Sequence, residues 1–140
     1  GAGFLPDGTL KAQGESAQGL RTALHYADGL DNDLDKEFRE NYSEKYPDLP
    51  PDVYAVQGYD AAQMLAAGME AVDGDISKKD QMRDAIRNAT IKSPRGDFTI
   101  SKSGNPVQDF YLREVKGMEN VPVKIAVEDL ADPSRGCKLM

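Results

Sequence analysis

The patterning of this chain predicts an α/β fold: three main helices, short strands and a closing hairpin. An apolar helix starts near Val53, straight after a Pro50-Pro51 break, and runs to about Val72. A polar helix from Asp31 to Tyr46 precedes it. Downstream the hydrophobic period shortens from that of a helix to that of a strand, with a Ser103-Gly104-Asn105-Pro106 turn between two strand-like runs.

Taken in order, residues 1–19 carry Gly1, Gly3, Gly8, Gly14 and Gly19 with Pro6, and read as loop with a short helical turn around Thr9–Gln13. Leu20 to Ala27 reads as a strand, with Leu20, Thr22, Leu24 and Tyr26 on one face, and Asp28-Gly29 ends it. Asp31 or Asn32 caps the polar helix. Leu34, Phe38 and Tyr42, then Tyr46, form its apolar stripe, and Glu37 and Glu40 lie on its solvated side. Pro47, Pro50 and Pro51 stop that helix and make a stiff connector. In the apolar helix, Val56, Tyr59, Ala62, Leu65, Ala66, Met69 and Val72 wrap nearly all the way round, the pattern of a largely buried helix. Asp73-Gly74-Asp75 ends it. Ser77 with Asp80 three residues on resembles a capping box for a third helix, whose buried side is Met82, Ala85, Ile86 and Ala89. Phe98 and Ile100 then alternate with polar neighbours. After the turn, Val107, Asp109, Tyr111, Arg113 and Val115 share one parity. A loop at Lys116–Asn120 leads to a last strand on Val121, Val123, Ile125 and Val127, and a polar tail follows from Asp132.

Composition removes several function classes. The 140 residues are 39% hydrophobic and 29% charged, a globular balance with room for one core. Net charge is −7 with no Lys/Arg block, which argues against nucleic acid and against an anionic membrane surface. No run of apolar residues is long enough to span a bilayer, and the first residues lack the features of a signal peptide.

Catalytic chemistry is thinly represented. His25 is the single histidine, and in mid-strand it reads as packing or surface. Cys137 is the single cysteine, in a tail where it reads as an incidental thiol. The two cannot make a structural zinc site. The acidic run from Asp31 invites a calcium reading, but no EF-hand frame through it places both Gly at the sixth position and Glu at the twelfth. The acids suit the positive end of a helix instead. No cofactor, no metal and no enzymatic activity are expected.

Several segments, in order, resemble one family. These are Gly1-Ala2-Gly3-Phe4, Glu15 to Leu20, Phe38-Arg39-Glu40-Asn41-Tyr42 with Tyr46-Pro47, the run from Tyr54 to Tyr59-Asp60-Ala61-Ala62, Arg95-Gly96-Asp97-Phe98, and Gly104-Asn105-Pro106 with Val107 to Tyr111. Together they resemble the C-terminal portion of a type I periplasmic solute-binding protein, of the branched-chain amino acid ABC transporter substrate-binding family. Each motif alone is weak; the ordered set covers nearly all of the chain.

The resemblance implies two α/β lobes that close on a small ligand. By it, residues 1–52 belong to the second (C-terminal) lobe, 53–113 to the first (N-terminal) lobe after a crossover, and 114–140 form a return strand and tail. It implies a periplasmic location, or an extracytoplasmic, membrane-anchored one in a Gram-positive. It also implies an amino acid or an aromatic or aliphatic carboxylate as ligand, and an ABC permease as partner. Family members are more than twice this length, so the chain is expected to be a fragment. The missing N-terminal part would then be a partner in its own right, and self-association of the exposed strands is a possibility. Gly3, Phe4, Tyr54 and Val56 are the ligand-binding candidates. Gly3 and Phe4 belong to the cleft loop, and Tyr54 and Val56 to the start of a helix whose free amides could face an anion. Ordinary packing is the competing reading for Phe4, Tyr54 and Val56, and a tight turn for Gly3. Tyr59 and Asp60 read as structural, Tyr59 in the core and Asp60 in the first turn of its helix. A sensory or regulatory receptor of the same fold, and a small α/β interaction domain without a ligand, are the alternatives.

Overall fold

A computed structural model describes residues 7–136. The order is α1 (Asp7–Gln13), a 3₁₀ turn (Gly14–Ala17), β1 (Arg21–Leu24), α2 (Asp33–Lys45), α3 (Val53–Ala71), α4 (Lys79–Arg87), β2 (Thr99–Ile100), β3 (Pro106–Lys116) and β4 (Glu119–Leu130). This is the α/β architecture that the patterning predicts. Gly3, Phe4 and Cys137 lie outside the described residues.

β3 is the spine of the sheet. β1 runs antiparallel to it over residues 111–114, β2 meets its start at Val107 and Pro106, and β4 pairs antiparallel along most of its length. The expected loop at Lys116–Asn120 tightens into a hairpin: Lys116 already faces Glu119, with Gly117 and Met118 as the turn. β1 is shorter than expected. Tyr26 and Ala27 leave the ladder but are wholly buried. The core gathers there, with Tyr26, Ala27, Leu30, Phe38, Val53 and Val56 in one cluster. Leu10 and Ala17 pack on Val115 in a smaller one.

Local chemistry sets the helix ends. Asn32 caps α2, its Oδ1 accepting from the Asp35 amide at 2.7 Å. Asp52 caps α3, accepting from the amides of Tyr54 and Ala55. The α3 chain then leaves the helix through Asp73 and Gly74, both at positive φ, and Gly74 donates to the Met69 carbonyl at 2.9 Å. The capping box expected at Ser77 does not form. α4 starts later, and the Ser77 hydroxyl donates instead to Asp75 at 2.6 Å.

α3 is not buried all round. Among its residues Val53, Val56, Asp60 and Gly68 are buried, whereas Tyr54, Leu65 and Met69 are 59%, 53% and 38% exposed. Tyr59, expected in the core, is 45% exposed with its ring edge against Phe38. An apolar circumference reports that a helix can be covered on every side, but here one side meets the Tyr26 core and another meets α4. Gly68 makes the second contact possible. A Cβ there would stand 2.6 Å from Ile86 Cγ1 and 3.2 Å from Met82 Cγ.

Two glycines of α3 therefore respond in opposite ways to the same substitution. Gly68→Ala overpacks the α3–α4 contact and costs about 1–3 kcal/mol. Gly58→Ala meets nothing within 4 Å and raises stability by up to about 1 kcal/mol through helix propensity. Urea denaturation of both variants measures the two signs.

Candidate functional site

The start of α3 collects the residues that could meet a ligand. Tyr54 projects its ring into solvent. One turn along, the Gln57 side chain hydrogen-bonds the His25 ring at 3.0 Å. His25 in turn stands edge-on to Phe110, with ring centroids 6.1 Å apart. The end of β1, the start of α3 and the middle of β3 thus share one patch of rings and amides. Burial, reinforced by the positive charges of Arg95 and Arg113, lowers the His25 pKa to about 4, so the ring is neutral at pH 7.

The patch does not present a bare helix N-terminus. The Tyr54 and Ala55 amides are already held by Asp52 Oδ1, at 2.9 and 3.0 Å. A carboxylate therefore occupies the position where an anion was expected to find free amides. Val56 turns inward. It is 0% exposed in the core cluster, because the helix turns it toward Tyr26 and Phe38. Of the candidates within the described residues, Tyr54 offers a free surface and Val56 fixes the helix beneath it.

Behind the patch lie two buried polar joints that periodicity missed. Asp60, 2% exposed, accepts from Arg95 Nε at 2.8 Å and from the Ser93 hydroxyl at 3.0 Å. Arg95 also donates to Gln108 Oε1 and lies 4.0 Å over the Phe98 ring, while its carbonyl accepts from the Tyr111 hydroxyl at 2.9 Å. Burial pushes the Asp60 carboxyl up, and the Ser93 hydroxyl and the Arg95 guanidinium pull it back. Asp60 sits in the second turn of α3, deeper than the first-turn position expected of it. The second joint is Asp35, one of the acids expected to suit the positive end of α2. It is 0% exposed and accepts the Tyr26 hydroxyl at 2.8 Å. Charged residue types carry no burial signal in a pattern of apolar spacing, so both joints were invisible to it. The Asp60–Arg95 partnership was open only as two separate motifs.

Such a surface can stack on, hydrogen-bond and orient a small molecule. Among the described residues no group of three or more His, Cys, Asp and Glu could hold a metal ion.

Comparison with known proteins gives a consistent picture. The profile of the periplasmic binding protein family matches residues 2–120. The fold superposes on a solute-binding protein of an ABC transporter from R. palustris in complex with benzoate, with a TM-score of 0.87, 45% identity, and coverage of 94% of this chain and 36% of that one. It also superposes on an ABC-transporter solute-binding protein from Rhodopseudomonas palustris BisB5 in complex with 3,4-dihydroxybenzoic acid, with a TM-score of 0.80, 25% identity, and coverage of 92% and 36%. A leucine-binding protein from Thermotoga maritima shares the fold at a TM-score of 0.70 and 24% identity, over 85% and 34% of the two chains. The chain thus spans about a third of the length of the solved proteins it matches. Comparison with curated proteins gives no match.

The buried pair and the neutral histidine each yield a measurable outcome. Asp60→Ala leaves the Arg95 guanidinium buried without its anion and costs about 3–5 kcal/mol. Asp60→Leu with Arg95→Met costs much less than the sum of the single losses in a double-mutant cycle by urea denaturation. For His25, the unfolded chain takes up a proton near pH 6.5 that the folded chain refuses until about pH 4. Its contribution is therefore full above pH 6.5 and is lost as pH falls from 6.5 toward 4. Over that window the stability of the native chain falls by about 1–2 kcal/mol more than that of His25→Gln.

Proposed function

This chain belongs to the periplasmic binding protein family, and we propose that it is part of the extracytoplasmic solute-binding component of an ABC importer, with a small carboxylate, aromatic in preference to aliphatic, held against the Tyr54 end of α3. The observation that carries this reading is the 45% identity, over 94% of this chain, to a solute-binding protein in complex with benzoate. The leucine-binding relative is more distant, at 24%. Family and structural relatives alike are binding proteins, and the role proposed is to carry a solute without transforming it.

The geometry supports a division of labour. Asp52 already fills the α3 terminus, so the charged end of the solute is gripped by residues outside this chain. Tyr54 supplies a ring to stack on, and Gln57 and His25 supply neutral hydrogen-bonding groups beside it. Gly3 and Phe4, outside the described residues, remain cleft candidates through the family resemblance alone. In this arrangement residues 1–52 serve the second lobe, 53–113 the first and 114–140 the return strand and tail, with Pro50-Pro51 at the crossover. The exposed stripe of α3, from Tyr54 through Leu65 to Met69, is the face on which the remainder of the protein lies. The loaded protein then docks on a membrane permease.

The test is a thermal-shift series on the intact protein that contains this chain, with benzoate, hydroxybenzoates, leucine and an aliphatic carboxylate. A ligand at 100 times its Kd adds about 2.7 kcal/mol of stability, and the benzoates are expected to do so. Tyr54→Ala is expected to weaken that binding by about tenfold, roughly 1.4 kcal/mol. No stabilisation by any carboxylate in the series would contradict the reading.

A further inference from the structure

A concave surface lies away from Tyr54, between α2, the second turn of α3 and residues 92–94. Tyr59 stands about 140° round α3 from Tyr54, at five residues of about 100° each, so the two surfaces are separate. The groove encloses about 300 Å³, the lower end of the range for small-ligand pockets and ample for a single ring with a substituent.

Its walls are aromatic. Phe38, Tyr42 and Tyr46 step along one face of α2 at centroid spacings of 5.8 and 5.0 Å, and Tyr59 closes on Phe38 from α3 at 5.2 Å. Tyr46 and Tyr59 are 43% and 45% exposed, a large area of ring turned toward open space. The hydroxyls of Tyr42, Tyr46 and Tyr59 have no hydrogen-bond partner among the described residues.

Charge distinguishes this groove from a plain apolar crevice. In a chain of net charge −7, two lysines line it, Lys45 and Lys92, and neither has an ion pair among the described residues. Glu37 is the one acid in the lining. The two ends differ. Lys45 sits in the last turn of α2, where its ammonium first offsets the negative end of the helix dipole. It also lies 5.6 Å over the Tyr46 ring. Lys92 has no such competing role. Its backbone is pinned by Gln63, which donates to the Lys92 carbonyl at 2.8 Å and accepts its amide at 3.1 Å. The adjoining Pro94 carbonyl accepts from Asn32 at 3.1 Å. The lysine is thus mounted on a stretch fixed to α3 on one side and to the α2 cap on the other.

We propose that this groove is a second binding site, for a small aromatic anion whose ring lies among Tyr42, Tyr46 and Tyr59 and whose carboxylate meets Lys92. A neutral ring would forgo the ammonium, and an aliphatic acid would forgo the aromatic walls. Because α2 and α3 flank the Pro47–Pro51 connector, an occupant bridges the elements on its two sides and stiffens the joint between them. The site requires neither Tyr54 nor occupancy of the solute cleft.

The experiment is a titration of the intact protein with 4-fluorobenzoate, read on tyrosine ring resonances assigned through Tyr46→Phe and Tyr59→Phe, with the Tyr54→Ala variant run in parallel. Saturable shifts at Tyr46 and Tyr59 that persist in Tyr54→Ala are expected. Lys92→Met is expected to weaken them at least fivefold while leaving the melting temperature unchanged, and neutral fluorobenzene is expected to bind at least fivefold more weakly than the anion. Absence of saturable shifts at Tyr46 and Tyr59, or an affinity that Lys92→Met leaves within twofold, overturns the proposal. Loss of cleft binding alone bears on the Tyr54 site and not on this one.

Discussion

The buried ion pair between Asp60 and Arg95 is the constraint on which the arrangement of this chain depends. It joins the second turn of α3 to the turn that leads into β2, and Arg95 continues the link to Gln108 and Tyr111 on β3. Charges withdrawn from water so completely are held in place only if their partners are fixed. Ser93, the Phe98 ring and the Tyr111 hydroxyl do that fixing here. A helix with no direct ladder to the sheet is thereby held in a defined orientation against it, and Tyr54, Gln57 and Val56 inherit that orientation.

The apolar core completes what the ion pair begins. Val53 and Val56 anchor the first turn of α3 against Tyr26, Leu30 and Phe38. Tyr26 is itself tied by its hydroxyl to Asp35 on α2. The exit of β1, α2 and α3 thus converge on one tyrosine. The outward-facing residues of the same helix turns are left as surface: Tyr54 toward the patch with Gln57 and His25, and Tyr59 toward the groove with Tyr42. One rigid helix therefore presents different chemistry on different sides.

Much of this was legible in the sequence. The Pro47–Pro51 break, the Asp73-Gly74 exit and the change of period beyond Ser93 each arise from short-range sterics or hydrogen bonding, and the structure places them as read; of the two caps read for α2, Asp31 or Asn32, it takes Asn32. The ordered motifs identified the family from residue types alone. What stayed hidden depends on side-chain partners in other segments. Asp35 and Asp60 are acids whose burial is set by Tyr26 and Arg95, and spacing does not encode that pairing. α3 looked buried on all sides because its composition records every surface it can cover, including one that no described residue covers. His25 read as plain packing, since its contact with Gln57 crosses from β1 to α3.

On the proposed function, the open stripe of α3 is an internal surface of a larger two-lobed protein. A crystal structure of the intact protein with bound benzoate tests it most directly. Leu65 and Met69 are expected to be buried against residues outside this chain, with the benzoate ring in contact with Tyr54. A structure in which both side chains remain open to solvent and the ligand lies away from α3 would contradict it.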